Sequence, residues 1–240
     1  MAIENYLTYN NVRSDTYNVY VSGAKTFRTA ERDYETIEIP GRNGYLLQDN
    51  NRYKPVIVEY DAFCVNNALA NYRDLVNALA KNFGLYSLTD TFDTTHFRMG
   101  VFAGGVDPNI YALQTARFTL KFHCQPERCL ISGWNNMETY TADGTITNPT
   151  GYPTKPLIRI FGNGTVGIGN ISITVTGNSN PAYYVDIDCE TGYAFMGNTN
   201  RSGDVTMTDH NMPTLGSGST AITVGTGIQQ LKILPRWWEL

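Results

Sequence analysis

Three carboxylates, Asp186, Asp188 and Glu190, alternate along the chain. Alternate residues of a strand share a face. Three such groups could cup a hard cation or supply the carboxylate pair of a glycosidase. The spacing also suits the polar outer face of a strand that carries Tyr184, Val185 and Ile187. That plainer reading is the stronger one. Neighbouring carboxylates repel without a cation, catalytic pairs ordinarily come from different elements, and no histidine lies near in sequence. Gly162-Asn163-Gly164-Thr165-Val166-Gly167 matches G-x-G-x-x-G. Dinucleotide binding needs that turn to open a helix whose N-terminus holds the pyrophosphate. Here Ile168, Ile171, Ile173 and Val175 follow, which is a strand pattern. Cys124-x4-Cys129 lacks the second ligand pair of a zinc site, and the spacing of His123 and His210 does not supply it. His96, within Thr94-Thr95-His96-Phe97-Arg98, reads as a surface or interface residue. No serine or cysteine sits in a nucleophile elbow. The sequence therefore assigns no catalytic residue, no cofactor and no metal.

Composition agrees with a protein that works by contact. The 240 residues suffice for one large β domain or two ordinary ones. Charged residues make up only 17%, against ~25% in typical domains. Asn, Thr, Gly and Tyr take their place, a mix that suits strands and turns. The net charge is −4, and no Lys/Arg stripe offers a phosphate-binding surface. No apolar run is long enough to span a bilayer, and the first residues do not form a secretory signal. Cys64, Cys124, Cys129 and Cys189 read as mostly buried free thiols of a protein made in a reducing cytoplasm.

The elements that must position these residues are mostly strands. Tyr17–Val21 and Val56–Tyr60 have strand patterns. In Ala116–Cys124 the residues Ala116, Phe118, Leu120, Phe122 and Cys124 fall on one face, and Arg117, Thr119, Lys121 and His123 on the other. This predicts a half-buried antiparallel strand ended by Pro126. Helical spacing of Leu69, Tyr72, Val76, Leu79 and Phe83 predicts one helix over 66–82. Asn66 or Asn67 would cap its start, and Gly84 would close its end. The first half is thus α+β with β dominant. Residues 132–155 are rich in Asn, Thr, Gly and Pro and read as a crossover between a domain of 1–131 and one of 156–240. In the second domain short strands recur at Leu157–Phe161, Asn170–Thr176, Tyr183–Asp188, Asp204–Thr208, Ala221–Val224 and Ile228–Leu234, as in a β-sandwich or jelly roll.

Contact residues follow from two segments. Pro40-Gly41-Arg42-Asn43-Gly44 is a tight turn. It admits a purely structural reading and one in which Arg42 and Asn43 meet a partner, the guanidinium favouring carboxylates. Trp237 and Trp238 are adjacent, so in a strand they point to opposite faces. One can enter the domain's core. The other is expected beneath a neighbouring domain, a partner chain or a ligand.

Taken in order, the motifs resemble the distal tail proteins of long, non-contractile-tailed phages of Gram-positive bacteria. They are Pro40–Gly44, Tyr72-Arg73-Asp74-Leu75-Val76-Asn77-Ala78-Leu79, Phe122–Pro126, Pro156–Gly164, Ile187–Glu190 and Leu234-Pro235-Arg236-Trp237-Trp238. The resemblance covers most of the chain. It implies a β-rich N-terminal domain that closes a homohexameric ring, followed by a galectin-like β-sandwich. It implies a place at the virion tail tip, assembled in the host cytoplasm or encoded by a prophage. The implied partners are the tail tube protein, the tail-associated tip protein and, at the rim, a receptor-binding protein, with no specific nucleic-acid or membrane binding. A ring lumen of negative or neutral character would keep DNA from sticking. The rivals are a stand-alone glycan-binding sandwich, suggested by the 16 tyrosines and the Asn/Thr/Gly-rich second half, and a pilus or sheath subunit.

Overall fold

The computed structural model describes residues 5–23, 25–111, 114–177, 180 and 183–240. The chain divides into two compact units, the first running to Arg128 and the second spanning Cys129–Glu239. It is mainly β, with one main helix.

The first unit is built on one antiparallel sheet. Its strand order is Val12–Arg13, Leu7–Tyr9, Tyr86–Asp90, His96–Phe102, Thr115–Cys124, Val56–Val65, Val19–Val21. A bridge from Asn5 to Val21 ties the chain just before Leu7–Tyr9 to the last strand of that order. The longest ladder runs from Thr115↔Val65 to Cys124↔Val56. In it Ala116, Phe118, Leu120, Phe122 and Cys124 are buried, as alternation predicts. Phe122 anchors the core, its ring 5.2 Å from Tyr9, 5.4 Å from Phe102 and 6.0 Å from Tyr60.

The helix spans Ala68–Ala80 and buries Ala68, Leu75 and Leu79 against the sheet. Tyr72 packs edge-on to Phe118 and donates to Val106 O at 2.7 Å. Its start differs from the expected side-chain cap. Asn66 and Asn67 are both left-handed, at φ +59° and +50°, and Asn67 makes no side-chain cap. Asparagine tolerates that conformation, and two in succession turn the chain from strand to helix. The Asn67 carbonyl then accepts from Ala70 N and Asn71 N. The far end is also corrected. The helix stops before Phe83, which is 82% exposed, and the C-cap is Lys81 in place of Gly84. Similarly, the expected strand Tyr17–Val21 is shortened to Val19–Val21, because Asp15–Tyr17 forms a 3-10 turn and Asn18 is left-handed at φ +53°.

The second unit is a sandwich. One sheet has the order Glu138–Tyr140, Ile228–Leu234, Leu157–Gly162, Tyr184–Asp188, Tyr193–Met196, Thr199–Asn200. The other has Gly144–Asn148, Gly218–Val224, Gly164–Ile168, Ile171–Val175, Val205–Met207. Ile158, Ile160, Val185, Ile187, Leu231 and Ile233 of the first sheet share one core with Val166, Ile168, Ile173, Val175 and Ile222 of the second. Residues 132–155 are not a crossover, since they contribute one strand to each sheet. Of their strand residues only Ile146 and Asn148 are buried, so no apolar run betrays them. Asn148 folds the loop after it, donating to Tyr152 O and Leu215 O and accepting from Thr150 N.

Candidate assembly interfaces

The chemistry-bearing residues are each held by structural partners. Asp186 is 3% exposed and forms a two-pronged ion pair with Arg159, at 2.6 and 2.8 Å. Asp188 pairs with Arg236 at 2.7 Å and Glu190 with Lys155 at 3.6 Å. Burial would raise the Asp188 carboxyl, but hydrogen bonds from Arg236 and Glu190 N outweigh it and hold the group below the usual range. Three carboxylates with three separate cations do not converge, and among the described residues no His/Cys/Asp/Glu group is placed to hold a metal. The glycines of Gly162–Gly167 serve backbone packing. A Cβ at Gly162 or Gly164, at φ +98° and +150°, would collide with Gly227 O or Thr226 O. The hairpin presses against the turn that precedes Ile228–Leu234.

The four cysteines are buried free thiols. Burial pushes Cys124 and Cys189 up to about 12. His96 accompanies Asp93, which also takes hydrogen bonds from Thr95 and Arg128. Burial would raise the Asp93 carboxyl, but these bonds together hold it far below the usual carboxylate range. Beside it Lys25 pairs with Asp90, and the Tyr60 hydroxyl donates to the same carboxylate at 2.5 Å. Burial and that carboxylate push the Tyr60 phenol far up. These groups line a cavity of about 60 Å³ that pins the segment leading out of the sheet.

That segment opens into an exposed, apolar-rich feature of the first unit. Arg32–Glu38 and Tyr45–Tyr53 form a two-stranded ribbon that, among the described residues, pairs with no other strand. Its tip is Pro40–Gly44, with Gly41 and Gly44 at φ +81° and +83°, where a side chain would strain the backbone. Arg42 and Asn43 stand exposed there, and Arg42 N donates to Ile39 O at 3.1 Å. One face of the ribbon presents Tyr34, Thr36, Glu38, Tyr45 and Leu47, and the other presents Glu35, Ile37, Leu46 and Gln48. All are exposed, Leu47 to 65%. Ion pairs Arg32–Asp49 and Arg52–Asp33 tie the base. An isolated hairpin is marginal in water, and one with apolar residues on both faces calls for a covering partner. Ile37–Leu46 reads in sequence as a strand-like run broken by the turn, but the exposure of both flanks is not part of that reading. The signal was Tyr45-Leu46-Leu47, three consecutive large apolar residues that cannot all face one core.

The two tryptophans make different contacts, both within the second unit. Trp237 is 4% exposed, receives Leu130 N on its carbonyl at 2.9 Å, and leaves no room for a Cβ at Gly133. Trp238 stacks on Tyr152 with centroids 4.5 Å apart and donates to Pro153 O at 3.2 Å. The loop 152–153 thus covers part of Trp238, a contact that sequence distance concealed, and leaves the rest of the ring accessible. Of the four residues singled out, Arg42 and Asn43 remain free to meet a partner.

No family model and no curated protein matches the chain. Solved structures do. The crystal structure of the phage SPP1 Dit protein (gp 19.1), a paradigm of the hub adsorption apparatus in phages infecting Gram-positive bacteria, matches with a TM-score of 0.69. The match covers 98% of this chain and 99% of that one, at 13% identity. This chain has the Dit fold. Structures of the phage P2 baseplate in its activated conformation also match at 8% identity. With calcium the TM-score is 0.51 over 97% of this chain and 98% of that one, and with strontium 0.53 over 96% and 97%. The Dit fold extends over both units, so the ribbon is set within a known architecture.

Proposed function

We propose that the chain is a structural component of a phage tail, a distal tail protein at the hub of the baseplate. Its first unit builds a six-fold ring, and the ring joins the tail tube to the tip that meets the host. The observation that carries this reading is the Dit fold over nearly the whole of both chains. The exposed ribbon supports it, since a ring subunit needs a surface that only a neighbour can cover. The partners above and below the ring are the tail tube protein and the tail-associated tip protein, with a receptor-binding protein at the rim. The protein would reside at the virion tail tip and act by contact without catalysis.

The glycan-binding alternative has less support. On the outward face of the six-stranded sheet, Arg159 lies over the Tyr184 ring at 4.5 Å and Lys232 over the Phe161 ring at 5.7 Å. Cations therefore already engage these two rings, whereas Tyr193 on the same face is 64% exposed. Negative-stain electron microscopy of the purified protein over a range of concentrations tests the proposal. Closed six-fold rings with a central channel are expected. Monomers at every concentration would sink it.

A further inference from the structure

We propose that the aromatic end of the first unit's sheet is the receptor for the ribbon of a neighbouring copy. This rests on the ring reading above and names the surface that reading leaves unspecified.

The outward residues of four adjacent strands meet at that end. Cross-strand pairing aligns Tyr20, Phe63, Arg117 and Asn109 in one row and Val65, Thr115 and Tyr111 in the next. Their partners in alternation, Cys64, Ala116 and Phe118, face the core. The patch thus carries three aromatic rings and a valine around one guanidinium, and Tyr20 and Phe63 lie 5.9 Å apart. It borders a groove of about 740 Å³ whose lining includes Phe63, Val65, Thr115 and Arg117 together with the carboxylates Asp61 and Asp107, of which Asp61 is engaged by Thr119. The other half of the same outward face is different. There Lys121 pairs with Glu59 at 3.1 Å and Thr119 donates to Asp61 at 2.9 Å, leaving a self-satisfied polar ladder.

Three observations select the ribbon as occupant. First, the apolar content matches, since Tyr34, Tyr45 and Leu47 on one ribbon face need a nonpolar bed. Second, the charges are complementary. Glu38 shares that ribbon face and makes no ion pair among the described residues, and neither does Arg117 of the patch. A carboxylate–guanidinium pair would satisfy both. Third, the positions suit contact between copies. The ribbon enters the sheet at Lys54, and Phe63 lies at the far end of the same strand, roughly 30 Å away at ~3.3 Å per residue. Complementary surfaces at opposite ends of one strand produce a head-to-tail contact, which repeats until rotation closes it.

The test uses two full-length variants, Phe63→Asp in the patch and Leu47→Asp on the ribbon, with light scattering as readout. Wild type should self-associate, and each variant alone should be monomeric. Mixed in equal amounts, they should form a one-to-one pair that does not grow, because only one of the two possible contacts is intact. A charge exchange guards against misfolding. Arg117→Glu should raise the dissociation constant at least about tenfold, and adding Glu38→Arg should recover most of it. A patch variant that assembles like wild type would overturn the receptor assignment alone and leave the ring reading standing. Failure of the two variants to pair, or of Glu38→Arg to rescue, would also overturn the assignment alone. A wild-type chain that is monomeric throughout would overturn both.

Discussion

Replacing Leu47 with Asp isolates the ribbon's contribution to assembly. Leu47 is 65% exposed, so about two thirds of its surface remains to be buried by a partner. Full burial of a leucine contributes ~1.5–3 kcal/mol, and two thirds of that is ~1–2 kcal/mol per contact. A carboxylate in the same place adds at least the ~1–3 kcal/mol that desolvating a neutral polar group costs. The sum, ~2–5 kcal/mol, lowers the association constant roughly 30- to 4,000-fold for each contact. The fold itself should barely respond, since exposed substitutions change stability by about 0.5 kcal/mol or less. Light scattering at a concentration where wild type is fully associated should therefore show monomer, while the thermal unfolding midpoint stays in place. Phe83→Asp is the control, because Phe83 is more exposed still but lies on the loop after the helix. Full assembly of the Leu47 variant would refute the reasoning, as would equal loss in the Phe83 control.

Other outcomes follow from the interior. Arg159→Ala strands the nearly buried Asp186 carboxylate and should cost about 2 kcal/mol by denaturant titration, less than the ~3–5 kcal/mol of a fully buried pair, because Arg159 is one third exposed. Gly227→Ala should destabilise by at least ~2 kcal/mol, since its φ is +87° and the new Cβ would strike Asn163 O. The Asp93 carboxyl is depressed in the fold, so its stabilisation is complete above the unfolded value of ~3.9 and is lost as pH falls toward the folded value. Unfolding at graded pH should show stability dropping below about pH 4, with a shallower drop in Asp93→Asn. Cys124 and Cys189, pushed up to about 12 and buried, should resist a thiol reagent at pH 8 until the chain unfolds. Rapid labelling of either in native protein would contradict their placement.

Much of this architecture could be read from the sequence where burial is one-sided. Ala116–Cys124 alternates because one face is core and the other is water. The expected second-half strands likewise sit near their observed places, because Ile158, Ile160, Ile173, Ile187, Leu231 and Ile233 stand at core positions within them. The misses lie where polar contacts or distant neighbours decide. Gly144–Asn148 is a strand whose most hydrogen-bonded side chain is an asparagine. The helix begins through two left-handed asparagines, for which no capping pattern stands in. Trp238 finds Tyr152 across a sequence gap that no local spacing encodes. At the candidate interface the turn at Arg42 was legible from its glycines. The apolar flanks were not, because a reading that seeks one core treats every large apolar residue as buried.

The joint between ribbon and sheet has a mechanical consequence. Only Lys54 and Pro55 separate Tyr45–Tyr53 from Val56–Val65. Pro55 has a fixed φ and no amide hydrogen, and Lys54 N is bonded to Glu31 O on the facing chain at 2.8 Å. A joint so short and so constrained works as a stiff lever. Torque applied at the ribbon tip passes into a strand that is laddered to Thr115–Cys124 along its whole length. Displacing the ribbon would therefore twist the sheet that holds it.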